Sequence, residues 1–486
     1  MSTKEAPVQQ LSTWRYNSPY VQTIIVGLVL FCCPGTYLAM TGLGAGGLRA
    51  DETATADKAN IIAYCIFGAS GLFSGSLINQ IGPKYTLMIG AVGYSIYAGS
   101  LWYIDAGDGT WFTLFGGFCL GSTSGLLWGT QGYITTTYPD ERQKGKYIAT
   151  SWVLNATGSL VGAAVVLGVT VNDQSSSGVP RSIYITFICL ECCGILVASL
   201  LMDPSKVRRN DGRGIADFKP LPWKKEIASL FTTILEPKMA LVTLAIFSSE
   251  LYLSMTGSFN AFYFNARTRA LANLVYWIMQ ILSALLIAYV CDAAWIGSRR
   301  KRAMVAGCLV ATVIGGTFIA MLVFLSHNRL DRSGSSRGID WTDGTSFAGP
   351  FVIYIFFGAC YPLFQNYHHW LYSTFSNEPH VLARYSGYFK GFQAWGTATA
   401  FGIDSHLTPF LTEAAAFFSL MMAGLALSVT SAYLNTTNTN YGKENGVVVP
   451  EAFEKISEAP VIVGEEGVVE REASISKQPK QDAEMN

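Results

Sequence analysis

Charged residues are scarce in this chain. Asp, Glu, Lys and Arg make up 14% of its 486 residues, against about 25% in ordinary soluble domains. Half of the residues are hydrophobic, and they gather in runs of about 18 to 25, each long enough for a helix to cross a hydrocarbon core of ~30 Å. We count twelve runs, which begin near positions 20, 60, 85, 112, 147, 182, 239, 270, 303, 347, 382 and 409. The sequence excludes a soluble protein and predicts an all-α integral membrane protein with twelve transmembrane helices.

Motifs of enzymes and metal sites are also missing. The sequence has no glycine-rich loop of the phosphate-cradling kind and no nucleophile–base–acid constellation. All ten cysteines fall in predicted spans, which argues against disulfides in the outer loops. Cys189, Cys192 and Cys193 lack a second cysteine pair or a neighbouring histidine, so small packing residues are the better interpretation. We expect no enzymatic activity, no cofactor, no metal and no nucleic-acid partner.

A cleavable leader is not apparent, because the first apolar run leads into glycines without a small-residue cleavage site. With twelve spans, twenty Lys and Arg fall on the side of both termini and eight on the other side. Cytoplasmic loops collect these bases, so both termini are predicted to be cytosolic. No Asn-x-Ser/Thr sequon lies in a predicted outer loop, and we expect no N-glycosylation. The sequence does not distinguish the plasma membrane from an internal membrane.

The spans and loops divide the chain into five parts. Residues 1–19 form a cytosolic N-terminus, 20–202 a first six-helix half, 203–237 a cytosolic linker, 238–434 a second six-helix half and 435–486 an acidic tail that we predict to be disordered. Within the linker, Trp223, Ile227 and Leu230 recur at helical spacing beside two lysines. That spacing predicts a short helix on the inner leaflet. A merely solvated basic linker is the alternative.

The two halves repeat one another. At a constant distance of 238 residues, Lys146-Tyr147 and Asn155 correspond to Arg384-Tyr385 and Gln393. At 234 residues, Gln131, Tyr133 and Tyr138 correspond to Gln365, Tyr367 and Tyr372. Halves built on one plan are typical of transporters with a central cavity.

The loop between the second and third predicted spans carries a motif. It reads Gly75-Ser-Leu-Ile-Asn79-Gln-Ile-Gly82-Pro-Lys84, and a looser counterpart in the second half runs from Asp292 through Gly297 to Arg299. Both resemble the cytoplasmic loop signature of the major facilitator superfamily, in which a glycine and a leucine precede an acid, a glycine and bases. The first loop, together with the segments at positions 145–147 and 384–390, resembles the uncoordinated-ninety-three-like branch of that superfamily. The resemblance covers about residues 20 to 434.

The resemblance implies twelve helices in two pseudo-symmetric halves that rock around a site at the midplane. It implies a secondary transporter of a small solute or ion as one function. Because the branch is associated with potassium-channel regulation and protein trafficking, a non-transporting accessory subunit of a channel or a trafficking escort is the alternative. Partners would be the lipid bilayer, an unknown solute or ion, and another membrane protein such as a channel.

The loop residues are candidates for gating. An acceptor at the inner end of a span can bond a neighbouring helix and latch that side closed, but Asn79 offers only a neutral dipole. We therefore predict a first-half latch that is weaker and less pH-sensitive than one built on an aspartate; a plain tight turn is the alternative. The gating-loop candidates are Gly75, Asn79, Gly82, Lys84, Asp292, Gly297 and Arg299.

Ionisable residues inside spans are the sharper indication of function, since each costs ~2.5 kcal/mol or more at the bilayer centre. Glu250 lies near the middle of the seventh span and is the best candidate for a cation- or proton-binding carboxylate; a buried structural acid is the alternative. Lys390, in the eleventh span, pairs with a cavity acid, binds an anionic group, or snorkels to the surface. The remaining candidates for the cavity are Gln131, Asn155, Gln365, Tyr367 and Gln393.

Gly117, Gly121, Gly125 and Gly129 recur every four residues in the fourth span. They share one helix face, which allows another backbone to approach closely or leaves room for a bound molecule. Close packing is the preferred interpretation.

Overall fold

The computed structural model describes residues 10–41, 53–107, 109–170, 181–216, 222–332, 334, 336–444 and 446–458. Within these residues the fold is all-helical. The helices of the first half are α1 (Pro19–Cys32), α2 (Pro34–Thr41), α3 (Thr53–Ile81), α4 (Pro83–Asp105), α5 (Trp111–Thr137), α6 (Lys144–Thr170) and α7 (Arg181–Ala198). A linker helix follows, α8 (Trp223–Leu235).

The second half repeats this arrangement. Its helices are α9 (Pro237–Ser248), α10 (Tyr252–Tyr263), α11 (Ala266–Asp292), α12 (Arg299–Asn328), α13 (Thr345–Ser373), α14 (Pro379–Asp404) and α15 (Phe410–Asn435), and a short helix α16 (Glu451–Glu458) follows. If α1 with α2 and α9 with α10 each count as one span, the helices form the twelve spans predicted from the sequence, six in each half.

Ten of these spans are long and apolar enough to cross a membrane by composition alone. The two that fall short are α5 and α14, which carry Gln131, Lys390 and Gln393 among their residues. Both have most of their side chains buried, and they pack against one another and against α3. A helix surrounded by protein does not need a lipid-facing apolar surface, so polar residues are tolerated there.

The first span of each half is broken near its middle. Between α1 and α2, Pro34 has no N–H to bond the fourth preceding carbonyl, and the helix ends. Between α9 and α10 no proline is present; Ser249, Leu251 and Leu253 donate instead to the third preceding carbonyl, at 3.1 to 3.3 Å. Such tighter turns often mark a functional position, and here the turn contains Glu250.

The halves meet mainly along two helix pairs, α3 with α14 and α6 with α11, and α5 also packs on α14. The approach is close enough to involve backbone: a Cβ on Gly75 would lie 2.4 Å from the carbonyl oxygen of Ala383, and one on Gly71 would lie 2.8 Å from the amide nitrogen of Gly391. Glycines are therefore required at this interface, as at other tightly packed membrane helices.

The glycine ladder of α5 packs against α3. A Cβ added to any of the four glycines would lie 2.1 to 2.4 Å from an atom of α3. The ladder thus brings two helices of the first half together and leaves no room there for a bound molecule. It consists of Gly117, Gly121, Gly125 and Gly129.

The N-terminal segment, the linker and the C-terminal segment lie on one side of the bundle, which we call the linker side. The amide of Leu11 donates to the carbonyl of Asn210 at 2.8 Å. Arg209 donates to the carbonyl of Val448 at 2.8 Å, and Arg213 pairs with Glu454 at 2.7 Å. Both ends of the described chain are therefore on the same side, as an even number of spans requires.

These contacts correct one prediction. The expectation of a disordered tail from residue 435 is wrong for residues 436–444 and 446–458. Arginines of the linker bind carbonyls and an acid of this segment, and the composition of the tail alone does not reveal these partners. Residues 459–486 of the predicted tail lie outside the described residues.

Candidate functional site

A cavity lies between the two halves, at the level of both helix breaks. Its volume is about 50 Å³, enough for a few water molecules or a small ion. Both halves contribute aromatic walls, and one acid and one base are exposed to the space. The residues that define it best are Tyr37, Tyr64, Trp128, Glu250, Tyr361 and Lys390.

Glu250 is held at the cavity by neutral donors. One carboxylate oxygen accepts a hydrogen bond from the hydroxyl of Tyr361 and a longer one, of 3.4 Å, from the amide of Gln365. The other oxygen accepts from the hydroxyl of Thr397 at 2.8 Å. Glu250 is 7% exposed. The donors orient the carboxylate without neutralising it, since none of them carries a positive charge.

Lys390 lies deep in the bundle, 2% exposed. Its ammonium donates to Gln393 at 2.8 Å and sits 4.7 Å from the ring centre of Trp128 and 5.2 Å from that of Phe389. The faces of aromatic rings stabilise a cation electrostatically, without a conventional hydrogen bond to each of its N–H groups. Because an ammonium has three N–H donors and Gln393 accepts one, two remain available among the described contacts. Burial at this depth excludes the snorkelling interpretation.

Glu250 and Lys390 form no direct salt bridge, but the two charges are near enough to attract each other. Gln393 holds the ammonium on its carbonyl side and donates through its amide to Ser249 at 3.2 Å, next to Glu250. Two opposite charges thus face one cavity, and Gln393 links the ammonium to the residue next to Glu250. Such an arrangement accommodates a polar guest, or a proton and a small ion, between them.

The other predicted cavity residues are dispersed. Gln365 reaches Ser249 and Glu250, both at 3.4 Å. Gln131 donates to Ser151 at 2.9 Å and so links α5 to α6. Tyr367 faces α12, where a Cβ on Gly307 would lie 3.0 Å from its hydroxyl. Asn155 is fully buried beside the break in the first span, and neither of its side-chain polar atoms has a partner among the described residues.

On the linker side, Asp292 joins the halves at one position. Its carboxylate accepts from the backbone amides of Gly145 at 2.9 Å and Lys146 at 2.7 Å, in the first turn of α6. An anion at a helix N-terminus satisfies unpaired N–H groups and interacts favourably with the helix dipole. We call this contact the second-half latch, because the motif residue belongs to the second half.

The first-half latch is built differently. Asn79 donates to the carbonyl of His380 at 3.4 Å, near the start of α14, and to the carboxylate of Glu226 at 2.9 Å. Glu226 is buried in the linker helix α8 and pairs with Arg384 of α14 at 3.3 Å. The acid that the motif lacks is therefore supplied by the linker, which changes the expectation of a latch without charge.

The remaining loop candidates shape these turns. Gly82 has φ +84° and Gly297 has φ +106°, a conformation that favours glycine. Gly75 packs against α14, and Lys84 lies half-buried in the first turn of α4.

Arg299 belongs to a third contact between the halves. Its guanidinium lies 2.9 Å from Glu141, and both side chains are nearly inaccessible. Glu141 also accepts from the amide of Asn377 at 2.7 Å, while Lys144 donates to the carbonyl of Ser373 at 2.7 Å. Burial raises the pKa of Glu141, but Arg299, Lys144 and the hydrogen bonds outweigh it and hold that pKa below the ordinary value of 4.5.

Several residues of the site were not found from the sequence. Tyr361 and Ser249 carry no motif and are recognisable only once Glu250 is placed among them. Thr397 corresponds to Ser159 in the 238-residue repeat, which by itself gives it no role. Glu226 could have been singled out from the sequence, because it is the one acid in α8, a helix whose other early residues are apolar or basic. The signal could not assign its partner, because Asn79 is 147 residues away.

The fold is similar to solved transporters of the major facilitator superfamily. The Escherichia coli fucose:proton symporter FucP superposes with a TM-score of 0.56 at 12% identity, over 86% of this chain and 98% of the symporter. The E. coli xylose transporter XylE, in a partially occluded inward-open conformation, gives a TM-score of 0.54 at 14% identity, over 86% and 96%. At such identities the likeness establishes the fold alone.

Sequence relatives are more informative. UNC93-like protein 1 of Arabidopsis thaliana is 34% identical over 438 residues, which cover 90% of this chain and 94% of the relative. An uncharacterised membrane protein of Schizosaccharomyces pombe is 34% identical over 432 residues, 88% of each chain. The notoamide biosynthesis cluster protein O' of Aspergillus versicolor is 28% identical over 410 residues, 84% of this chain and 87% of the relative.

A sequence profile described as "Ion channel regulatory protein UNC-93" matches residues 57–327. This range contains the first motif loop, the linker and the second motif loop. The match, the relatives and the fold agree with one another and with the resemblance read from the loops. The chain is a multi-pass membrane protein of the UNC-93 family.

Proposed function

We propose that the protein is a secondary transporter that moves a small polar solute or ion by alternating access. The central cavity is the binding site, and Glu250 and Lys390 are its principal residues. Rocking of the two halves would expose this cavity to one side of the membrane and then to the other.

The observation that carries the proposal is the unjoined pair of charges. An acid and a base placed this deep in a membrane protein are costly, and a structural role would be served best by a direct salt bridge. Glu250 and Lys390 instead line one cavity while Gln393 keeps the ammonium on a separate contact. Charges held apart at a cavity are typical of binding sites.

The chemistry of the two side chains suggests their roles. The two N–H donors that Lys390 has left suit an anionic group of a solute. Glu250, oriented by neutral donors, suits a proton or a small cation that accompanies the solute. The aromatic walls formed by Tyr37, Tyr64 and Trp128 would exclude water and stack on an apolar part of the guest.

The latches supply the closed side of the cycle. The contacts of Asp292 with α6 and of Glu226 with Arg384 join the halves on the linker side. Their release, together with that of Glu141 and Arg299, would open the cavity to that side.

Flux through purified, reconstituted protein tests the proposal. Vesicles loaded with a pH-sensitive dye receive a panel of small anionic and neutral solutes, and dye response and solute uptake are followed. Glu250→Gln is expected to abolish solute-driven proton movement. Lys390→Met is expected to abolish uptake of anionic solutes.

Glu191→Gln is the matched control, because Glu191 is also fully buried but bonds Thr36 at 3.1 Å and does not line the cavity. This variant should transport as wild type does. Equal loss in Glu191→Gln and Glu250→Gln would contradict a specific role for Glu250.

The family profile favours a second function, regulation of an ion channel. In that case the protein would bind a channel and change its current without moving a solute. Co-purification with a channel, together with absence of flux for the whole panel, would establish this function and reject transport.

We also propose that the linker side faces the cytosol. Support comes from the twenty Lys and Arg that the sequence assigns to that side against eight on the other. A glycosylation sequon inserted between Asn328 and Thr345, on the opposite side of the bundle, should be glycosylated, whereas one inserted between Asp203 and Val207 should not.

A further inference from the structure

The linker helix α8 presents three different faces. Glu226, Leu230 and Thr233 are buried against the bundle, where α8 packs on α3 and α14. On the adjacent face, large apolar side chains follow one another at every fourth residue, and all are exposed. They are Trp223 (53%), Ile227 (43%), Phe231 (59%) and Leu235 (79%). This differs from the stripe expected from the sequence, because Leu230 faces the protein and Phe231 takes its place outside.

The connections of α8 at its two ends fix its position relative to the membrane. Leu235 ends the helix and Pro237 begins the seventh span, so only Glu236 separates them. The other end of the helix is fixed by Glu226, which contacts the linker-side ends of α3 and α14. A helix tied to span ends at both places lies along the membrane surface.

The charges of α8 complete the argument. Lys224 and Lys225 are exposed in its first turn, next to the apolar stripe. Lysines beside a row of aromatic and aliphatic side chains are the arrangement found in helices that lie in the headgroup region of an anionic bilayer. Because the stripe ends at Leu235, which a single residue separates from the seventh span, a lipid surface is the occupant that the geometry favours over a protein.

We propose that α8 is anchored in an anionic lipid leaflet by its apolar stripe and its two lysines, and that it carries this contact to the first-half latch through Glu226. The membrane surface thereby holds the carboxylate against Asn79 and Arg384. Anionic lipid would stabilise closure of the linker side. The proposal does not depend on whether the protein transports or regulates.

Amide hydrogen exchange of the full-length protein in vesicles tests this. Vesicles of phosphatidylcholine alone are compared with vesicles that also contain phosphatidylserine. In wild type, phosphatidylserine should slow exchange in residues 223–235 and in the first turns of α14, residues 380–388. Exchange in α15 should be unaffected and shows that the bundle is folded.

Two variants separate the anchor from the latch. Phe231→Ser should speed exchange in α8 about tenfold and abolish its response to phosphatidylserine, whereas Thr232→Ala, on the exposed polar face, should behave as wild type. Glu226→Gln should leave the lipid response of α8 in place but remove that of α14.

Three results would overturn the proposal. One is equal exchange of α8 in both kinds of vesicle. Another is a lipid response of α14 that survives Glu226→Gln. A third is protection of α8 that depends on an added membrane protein rather than on phosphatidylserine, which would make a protein the occupant of the stripe.

Discussion

The two latches perform the same task with different parts. In the second-half latch, Asp292 accepts two backbone hydrogen bonds at the start of α6 directly. In the first-half latch, the corresponding motif position is Asn79, and the carboxylate comes from Glu226 of the linker helix. One latch is complete within the two halves, whereas the other closes only when α8 is in place.

Both latches therefore contain a carboxylate, although the motif of the first half has an amide at the position of the acid. Arg384 lies in the second turn of α14, the helix that repeats α6, and its guanidinium is mostly buried. Without Glu226 it would have no carboxylate partner among the described residues. The linker helix therefore completes the first-half latch, whereas the second-half latch forms without it.

The largest effect should come from the contact that neither latch contains. Glu141→Gln leaves Arg299 buried without its carboxylate, which costs about 4 kcal/mol for pairs of this kind. If this contact dominates closure, both latches should loosen together. The midpoint of thermal unfolding in detergent measures the loss, and Glu378→Gln, a half-buried acid at the start of α14, is the control.

The same pair predicts a pH dependence. The folded pKa of Glu141 lies below the ordinary 4.5, so its stabilising contribution is fully present above about pH 4.5 and is lost as pH falls through the folded pKa. Thermal unfolding of Glu141→Gln should depend less on pH in this acidic range. An unchanged pH profile would contradict the assignment.

Glu226→Gln should have the next largest effect. It removes the charge that Arg384 faces, and a broken buried ion pair of this kind costs about 3 kcal/mol. Thr232→Ala, on the exposed polar face of α8, is the control and should change little. Comparable losses in the two variants would show that α8 matters only as a surface helix.

Asp292→Asn should cost less, about 1 to 2 kcal/mol. The amide retains one acceptor oxygen, so one of the two bonds to the start of α6 is lost together with the charge. Exchange of the amides at residues 145–148 should quicken. Asp105→Asn, at the end of α4 on the opposite side, should leave these amides unaffected.

The smallest effect tests the comparison most directly. Asn79→Asp places a second acid 2.9 Å from the Glu226 oxygen, and the like charges should cost about 1 kcal/mol. The double variant Asn79→Asp with Glu226→Gln exchanges the acid and the amide. Its midpoint of thermal unfolding should recover most of the stability that Asn79→Asp alone loses. A double variant less stable than both single variants would mean that the position of the acid, and not only its presence, is required.

Much of the fold could be predicted, because a bilayer imposes a length on each apolar run. The starts of all twelve spans were found in this way, whereas the linker helix was predicted from the helical spacing of its apolar residues. The break at Pro34 had a sequence signal, the proline itself. The break at Glu250 had none, because no proline stands there and the donors that surround its carboxylate come from α13 and α14, more than 100 residues away.

The candidate site was predicted less completely. Glu250 and Lys390 were recognised as costly charges, but the position of Gln393, which bonds both Lys390 and Ser249, depends on the packing of α9 against α14. The symmetry argument also misled in part: Asn155 and Gln393 occupy equivalent positions, yet Gln393 bridges to Ser249 while Asn155 has no side-chain partner among the described residues. Equivalent positions share a backbone environment but not the side chains that face them.

The two broken spans have a consequence for kinetics. Beyond the breaks, α2 packs on α4, α6 and α7, and α10 packs on α11, α13, α14 and α15, so each segment belongs to its own half. We therefore expect either segment to tilt while the linker side stays joined. Exchange of the cavity with the opposite compartment would then be a fast local fluctuation, whereas exchange with the linker-side compartment would wait for a slow, concerted barrier crossing. The cavity would thus open to the compartment opposite the linker side many times for each opening to the linker side.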